Sequence, residues 1–182
     1  MTDEQLTLKK GDYVSHLQYG VGQVEGKEKK SLAGESQEYY KVKTRNGVYW
    51  IPTDELDSDR IRMVVSEKKL EKAISILESP PQVMDSKHTV RKKRIDQVTA
   101  DGDLEGFCEL LRDLHGKRAA GKLNTTEQRA HTSIKKKIAA EWSATKEISV
   151  KQANKEVNNI LRKIKAPDEE STKKKKKKKS KK

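Results

Sequence analysis

The stretch from Gly11 to Pro52 most constrains the fold, because its apolar residues alternate with polar ones as they do along β-strands. Period-two segments occur at 13–16, 21–27 and 38–44, and a β-rich run follows at 48–51. Glycines after Tyr19 can take the positive φ of a tight turn, and Asn46-Gly47 is a pair favoured in two-residue hairpins. The pattern predicts a meander of short antiparallel strands, in which 38–44 pairs with 48–51.

The same alternation predicts a small, barrel-like core. Successive strand residues face opposite sides of a sheet, so Tyr39, Tyr49 and Trp50 cannot all point inward. At least one of these aromatic side chains therefore either faces a partner or covers an end of the barrel. The residues predicted to fill the core are Val14, Val21, Val24, Tyr40, Val42, Val48 and Ile51.

The chain after residue 65 is predicted to be helical, with apolar residues at helical spacing and recognisable helix signals. Ser66 precedes the first apolar stripe, Pro80-Pro81 ends it, and Asn124 with Glu127 has the form of a capping box. We therefore predict an α+β protein. Its parts are a small antiparallel β-barrel domain over residues 1–65, an all-α domain over 66–165 and a disordered basic tail over 166–182.

Composition excludes several classes of protein. Hydrophobic residues make up 32% of the chain and charged residues 38%, so each core must be small. The single cysteine, Cys108, excludes an internal disulfide framework and a cysteine-rich zinc site. No apolar run approaches the roughly 18 residues of a membrane span, and the N-terminus lacks a signal peptide's apolar segment. With no catalytic or metal-ligating constellation, we expect a cytoplasmic protein that is not an enzyme and needs no cofactor or metal.

The net charge of +13 points to a polyanionic partner. Residues 168–182 hold nine lysines and three acids and contribute +6, which leaves +7 on the remainder. Nucleic acid fits better than a membrane surface, because no basic amphipathic helix with exposed aromatic residues is evident. The dense lysine tail is expected to stay disordered, and it serves either to release counterions from a phosphate backbone or only to keep the protein soluble.

The second predicted helix, over residues 86–100, is mostly basic. Its apolar seam is thin, consisting of Val90, Ile95 and Val98. A run of four basic residues covers nearly every direction around one turn, and such a run is either a solvated face or a set of phosphate contacts. The run comprises Arg91, Lys92, Lys93 and Arg94; further charge on a later helix is offered by Arg129, Lys135 and Lys136.

The order of these parts resembles the CarD/CdnL family of bacterial transcription regulators. The resemblance rests on GDYVSHLQYGVGQV, KSLAGESQEYYKV and WIP, followed by VRKKRIDQVTADGDLEGFCELLRDL and LNTTEQRAHTSIKKKIAAE. It covers about 9–165. It implies an N-terminal Tudor-like, SH3-like barrel that binds the β subunit of RNA polymerase. It also implies a helical domain that contacts promoter DNA at the upstream edge of the transcription bubble and stabilises the open complex.

The resemblance also implies site residues. The family's polymerase contact lies on an exposed edge strand, which corresponds here to Lys29, Lys30 and Ser31, with Trp50 across the hairpin. Many members carry a tryptophan at the start of the basic helix that wedges into the minor groove, and His88 stands at that position. An imidazole offers less apolar area than an indole. The DNA contacts implied or predicted are His88, Arg91, Lys92, Lys93, Arg129, Lys135 and Lys136.

Two other functions remain open from the sequence. One is a nucleoid-associated architectural protein that binds DNA by charge alone, and the other is an SH3-like protein associated with RNA or the ribosome. The leading prediction is a monomeric, cytoplasmic and nucleoid-associated regulator with RNA polymerase β and promoter DNA as its partners. Binding of the β domain to polymerase would distinguish it from both alternatives.

Overall fold

The chain folds into two compact units, Met1–Val65 and Ser66–Lys182. The computed structural model describes residues 7–32, 35–54, 56 and 60–167. The described part contains an antiparallel sheet in the first unit and five helices in the second, which confirms the α+β prediction. The predicted disordered segment 168–182 lies outside the described residues. No helix in the described part is long and apolar enough to cross a membrane.

Five antiparallel strands form the sheet of the first unit. They are β1 (Tyr13–His16), β2 (Gly20–Leu32), β3 (Glu35–Thr44), β4 (Val48–Pro52) and β5 (Ile61–Met63), in the spatial order β4-β3-β2-β1-β5. A bulge between Val24 and Gly26 shifts the register of β2 against β3. Strand residues after the bulge therefore exchange faces relative to those before it.

The sheet encloses one core, because residues from its two outermost strands reach the same cluster. Ile51 of β4 is part of this cluster and Ile61 of β5 packs against it. The bend at the bulge and the twist of the strands allow this closure. The buried members are Leu8, Val14, Val24, Tyr40, Val42, Tyr49, Ile51 and Leu56.

Two predicted core positions are wrong. The register pairs Val42 with Tyr49, which puts Tyr49 on the inner face and its neighbour Val48 outside, 38% exposed. Val21 precedes the buried Gly22 and is only half-buried. The tight turn is correct at Gly20, whose φ is 79°.

Two glycines have structural roles that the sequence did not indicate. Gly22 is needed for space rather than for a turn, since a Cβ there would lie 2.6 Å from Cγ1 of Val42. In the predicted Asn46-Gly47 hairpin, neither residue has the positive φ of a two-residue primed turn. Residues 45–47 instead make a longer connection, closed by the Thr44 amide donating to the Gly47 carbonyl at 2.8 Å.

Five helices form the second unit, and their ends follow the local signals in the sequence. They are α1 (Glu67–Glu78), α2 (His88–Asp101), α3 (Leu104–Ala120), α4 (Thr125–Thr145) and α5 (Val150–Leu161). Ser66 caps α1, and complete capping boxes open α4 at Asn124 and α5 at Ser149. Apolar side chains of all five helices are buried, but α2 contributes only Ile95. Trp142 of α4 is half-buried.

Candidate polymerase and nucleic-acid surfaces

The outer face of the β domain carries a tryptophan that is held in place from two sides. Trp50 is 38% exposed. The Lys30 ammonium lies 3.0 Å from the centroid of its ring, and the indole N–H donates to Oε2 of Glu28 at 3.1 Å. A cation on the ring face and an acceptor for the indole N–H together fix the ring's orientation. We call this group, with the adjacent Lys41, the Trp50 surface.

Lys41 completes the Trp50 surface from β3, the strand between β4 and β2. Its ammonium lies 3.0 Å from Oε1 of Glu28 and 3.5 Å from Oε2 of Glu25. Hydrogen bonds to Glu28 from Lys41 and then from Trp50 lower the pKa of that carboxyl, and the same contact raises the pKa of Lys41. Glu28 therefore stays ionised and keeps accepting the indole N–H. Sequence reasoning missed both Glu28 and Lys41, because their contacts cross between strands.

In the described part of the chain, two strands around the Trp50 surface are each paired on one side only. There β4 pairs only with β3, and β2 pairs only with β3 after Val24. Lys30 and Trp50 come together as a contiguous surface. Lys29 lies on the opposite face from Lys30, and Ser31 is exposed near the end of β2. The predicted polymerase residues are thus divided between two faces of one hairpin.

Tyr49, by contrast, covers the core. Its ring stacks on Tyr19 with centroids 5.0 Å apart and meets the edge of His16 at 5.5 Å. Burial raises the pKa of the Tyr49 hydroxyl. Of the three aromatic residues weighed in the sequence, Trp50 is the exposed one and Tyr49 closes the core.

The basic helix α2 begins at His88, which is exposed together with Lys92 and Lys93. Lys87 occupies the N-cap position but makes no side-chain capping bond, and the first turn contains no acid. The free amides and positive end of this helix therefore favour an anion. The Lys92 ammonium makes a solvent-exposed contact with Asp96 at 2.5 Å, and such a contact is weak enough to be exchanged for a phosphate.

Arg91 points into the domain instead. Its side chain is 11% exposed, and Nε donates to Oε1 of Glu127 in α4 at 2.6 Å. Nη1 donates to the carbonyls of Asp85 and Ser86 at 2.8 and 2.6 Å. The predicted phosphate contact of Arg91 therefore competes with three hydrogen bonds inside the protein.

Arg94 also points inward. It donates to Oδ2 of Asp113 at 2.7 Å, and Arg112 Nε donates to Oδ1 of the same carboxylate at 2.8 Å. The amide of Gln82 donates to Asp113 as well, at 2.9 Å. Asp113 is fully buried. With one buried apolar side chain and two inward arginines, α2 is held to the domain largely by ion pairs.

Glu127 is the second buried carboxylate and collects three donors. Oε1 accepts from Arg91, and Oε2 accepts from Lys117 at 2.9 Å and from the Asn124 amide at 3.0 Å. Burial alone would raise the pKa of Glu127, but the hydrogen bonds from Arg91, Lys117 and Asn124 lower it to about 2. Glu127 is therefore ionised throughout the physiological range.

The predicted basic residues on α4 differ in their exposure. Arg129 and Lys136 are exposed and, being seven residues apart, share one side of the helix. Lys135 is half-buried and donates to Oδ1 of Asn158 at 3.3 Å. Only the first two are therefore freely available to a partner.

Neither a metal centre nor a reactive thiol emerges from the described residues. No group of three or more His, Cys, Asp or Glu side chains among them is arranged to hold a metal ion. Cys108 is buried on α3, and burial raises the pKa of its thiol to about 12. The thiol is therefore unreactive near neutral pH.

Comparison with protein families matches each of the two units to a known domain family. Residues 8–65 match the CarD-like/TRCF RID domain, and residues 72–158 match the CarD C-terminal domain. The two matches together span most of the chain and define a transcription-associated protein built from regulatory domains. The chain belongs to the CarD/CdnL family, which confirms the resemblance drawn from its motifs.

Proposed function

We propose that this protein is a monomeric transcription regulator that binds the β subunit of RNA polymerase and promoter DNA together. The β domain holds polymerase, and the helical domain contacts DNA at the upstream edge of the bubble, which stabilises the open complex. A protein with these partners works in the cytoplasm, on the nucleoid. The observation that carries the proposal is the Trp50 surface, an exposed and oriented indole in a domain that matches the CarD-like/TRCF RID domain.

Physical reasons support a protein partner at the Trp50 surface. Tryptophan is enriched among the residues that dominate binding energy, and a ring already fixed by Lys30 and Glu28 loses little entropy on binding. No described strand pairs with the outer edge of β4 beside Trp50, and this edge can accept a strand from the partner. Lys29 and Ser31 lie on the part of β2 that pairs only with β3 among the described residues, and they serve as flanking contacts.

DNA contact is assigned to the exposed part of α2. His88, Lys92 and Lys93 supply positive charge or hydrogen bonds, and the uncapped helix start offers free amides to a phosphate. Arg129 and Lys136 on α4 provide additional exposed charge. These contacts are mostly to phosphates, so binding to free DNA is expected to be weak and to depend little on sequence.

We expect the combined Lys30→Glu and Trp50→Ala substitutions to weaken polymerase binding by at least about 30-fold, because truncating an interface hot spot costs about 2 kcal/mol or more. Affinity of the full chain for isolated polymerase β subunit, measured by biolayer interferometry, tests this. DNA affinity should change little. Lys10→Glu combined with Met63→Ala is the matched control, changing an exposed lysine and an exposed apolar side chain elsewhere in the domain. Equal polymerase affinities for both double variants would contradict the proposed interface.

We expect DNA binding to lose salt dependence when its phosphate contacts are removed. Replacing Lys92 and Lys93 by alanine should reduce the slope of log K against log salt by about 1 to 2, and deleting 168–182 should reduce it further. Fluorescence anisotropy of a labelled duplex at several salt concentrations measures the slope. Lys151→Ala with Lys155→Ala on α5 removes the same charge as a control. An equal reduction in that control would mean that only net charge matters, as in the architectural alternative.

A further inference from the structure

The segment that leads into α2 is held by two side chains: Asp85, whose Oδ1 accepts from the Lys87 amide at 2.7 Å, and Arg91 from inside the helix. Lys87 at the N-cap makes no side-chain hydrogen bond to the first turn. Arg91, one turn later, folds back so that its guanidinium binds the carbonyls of Asp85 and Ser86 at 2.8 and 2.6 Å. These carbonyls belong to the segment that leads into His88. The path of this segment therefore depends on where the Arg91 guanidinium lies.

Glu127 determines where that guanidinium lies. It is 1% exposed and binds Arg91 Nε at 2.6 Å through one oxygen. Its other oxygen binds Lys117 of α3 and the Asn124 amide at the start of α4. The carboxylate is thus fixed by two other helices, and it transmits their positions to Arg91. Planar guanidinium geometry suits this role, because it offers donors in several fixed directions at once.

The same contacts make Arg91 a poor phosphate ligand. Its guanidinium is already paired with a buried carboxylate, and a DNA phosphate would have to replace the hydrogen bond to Glu127, which is largely shielded from water, as well as those to two carbonyls. Lys92 and Lys93, by contrast, are exposed. The sequence places these three basic residues in one run, but the structure divides them between an internal contact and an outward surface.

We propose that Arg91 and Glu127 are positioning residues for the DNA-contacting surface. They hold residues 85–88 and the first turn of α2 so that His88, Lys92 and Lys93 are presented together. A segment ordered before binding loses less conformational entropy on DNA than a mobile one does. This inference rests on the proposed function, since it assigns DNA contact to α2.

Glu127→Gln separates positioning from simple electrostatics, because the two predict opposite signs. Removing a negative charge from a DNA-binding domain should tighten binding if only charge matters. If Glu127 positions α2, the same change should weaken DNA binding about 5- to 10-fold. Glu109→Gln, at an exposed position on α3, is the matched control and should leave affinity unchanged or slightly higher. Both are compared by anisotropy under conditions where circular dichroism shows them folded.

Arg91→Lys tests the second positioning residue without changing the net charge of the domain. A lysine would preserve a phosphate contact, but it cannot bridge Glu127 and two carbonyls in the geometry of a guanidinium. We expect DNA affinity to fall by a similar factor, whereas Lys93→Arg should retain it. Arg91→Lys also tests the positioning role if Glu127→Gln does not fold.

A measurement on the free protein keeps this inference separate from the proposed function. Backbone order parameters of residues 86–89 should fall from about 0.85 towards about 0.6 in Arg91→Lys and Glu127→Gln, and remain high in the two controls. Unchanged order parameters, or unchanged DNA affinity in Arg91→Lys, would overturn the positioning role. A wild-type protein that does not bind DNA would instead overturn the proposed function.

Discussion

Asp113→Asn is expected to lower the free energy of unfolding of the helical domain by about 3 to 5 kcal/mol, as removal of one partner from a buried ion pair does. Asp113 is fully buried and Arg112 is 5% exposed. An asparagine keeps the shape but turns an amide N–H₂ towards an arginine donor, and it leaves the Arg112 cation without its carboxylate. Because Arg112 is buried, few water molecules can solvate its unpaired cation.

The size of the effect follows from how many elements meet at Asp113. It binds Arg94 of α2, Arg112 of α3 and the amide of Gln82 in the connection between α1 and α2. Arg112 in turn donates to the Ser79 hydroxyl at the end of α1, at 2.7 Å. Loss of this one charge therefore loosens the packing of three helices.

Urea unfolding monitored by Trp142 fluorescence in a Trp50→Phe background measures this stability, because Trp142 is then the sole tryptophan and lies in the helical domain. Asp96→Asn is the control. It removes the same charge from an exposed pair with Lys92 and should change stability by less than about 1 kcal/mol. A loss below about 1 kcal/mol in Asp113→Asn would show that the buried network is not a main contributor to stability.

The features that were predicted correctly from the sequence are those that depend on residues close together in the chain. The capping box at Asn124 involves a partner only three residues away, so the local pattern identified it. The alternation of 38–44 and 48–51 likewise predicted the pairing of β3 with β4. Which of Tyr49 and Trp50 points inward depends on how β4 pairs with β3, and the alternation alone left that open.

The ion pairs between residues far apart in the chain were not predicted from the sequence. Arg91 and Glu127 are separated by 36 residues, and Arg94 and Asp113 by 19. One signal was nevertheless present: Arg91, Arg94, Ile95 and Val98 share the i, i+3, i+4, i+7 spacing of a buried helix face. Val90, which the sequence placed on the apolar seam, does not share that face and is 46% exposed. Two of the four basic residues in the run thus belonged to the inner face.

The helical domain should also lose stability as the pH falls, and the first cause is a pair of histidines. His115 Nδ1 and His131 Nε2 lie 3.1 Å apart, so one nitrogen donates and the other accepts when both rings are neutral. Burial, then His115, then Arg118 and Lys135 lower the pKa of His131 to about 4. Burial, followed by Arg118 and Lys135, also lowers the pKa of His115.

The direction of the effect follows from these pKa values. The unfolded chain binds a proton at His131 below its ordinary pKa of 6.5, whereas the folded domain does so only near 4. The contribution of His131 to stability is therefore complete above pH 6.5 and declines by about 3 kcal/mol as the pH falls towards 4. Glu127, whose pKa is lowered from 4.5 to about 2, adds a separate loss that begins only below pH 4.5.

His131→Gln separates the two losses. The glutamine amide can still hydrogen-bond to His115 but does not titrate, so the decline between pH 6.5 and 4.5 should become markedly shallower, with only the contribution of His115 remaining there. The loss from Glu127 should still follow below pH 4.5. Urea unfolding at several pH values, again followed by Trp142 fluorescence, measures both curves. His88→Gln replaces an exposed histidine of the same domain and should keep the wild-type decline. If His131→Gln keeps the full wild-type decline between pH 6.5 and 4.5, His131 is not its source. Glu127 cannot account for a decline in that range, because its contribution is lost only below pH 4.5.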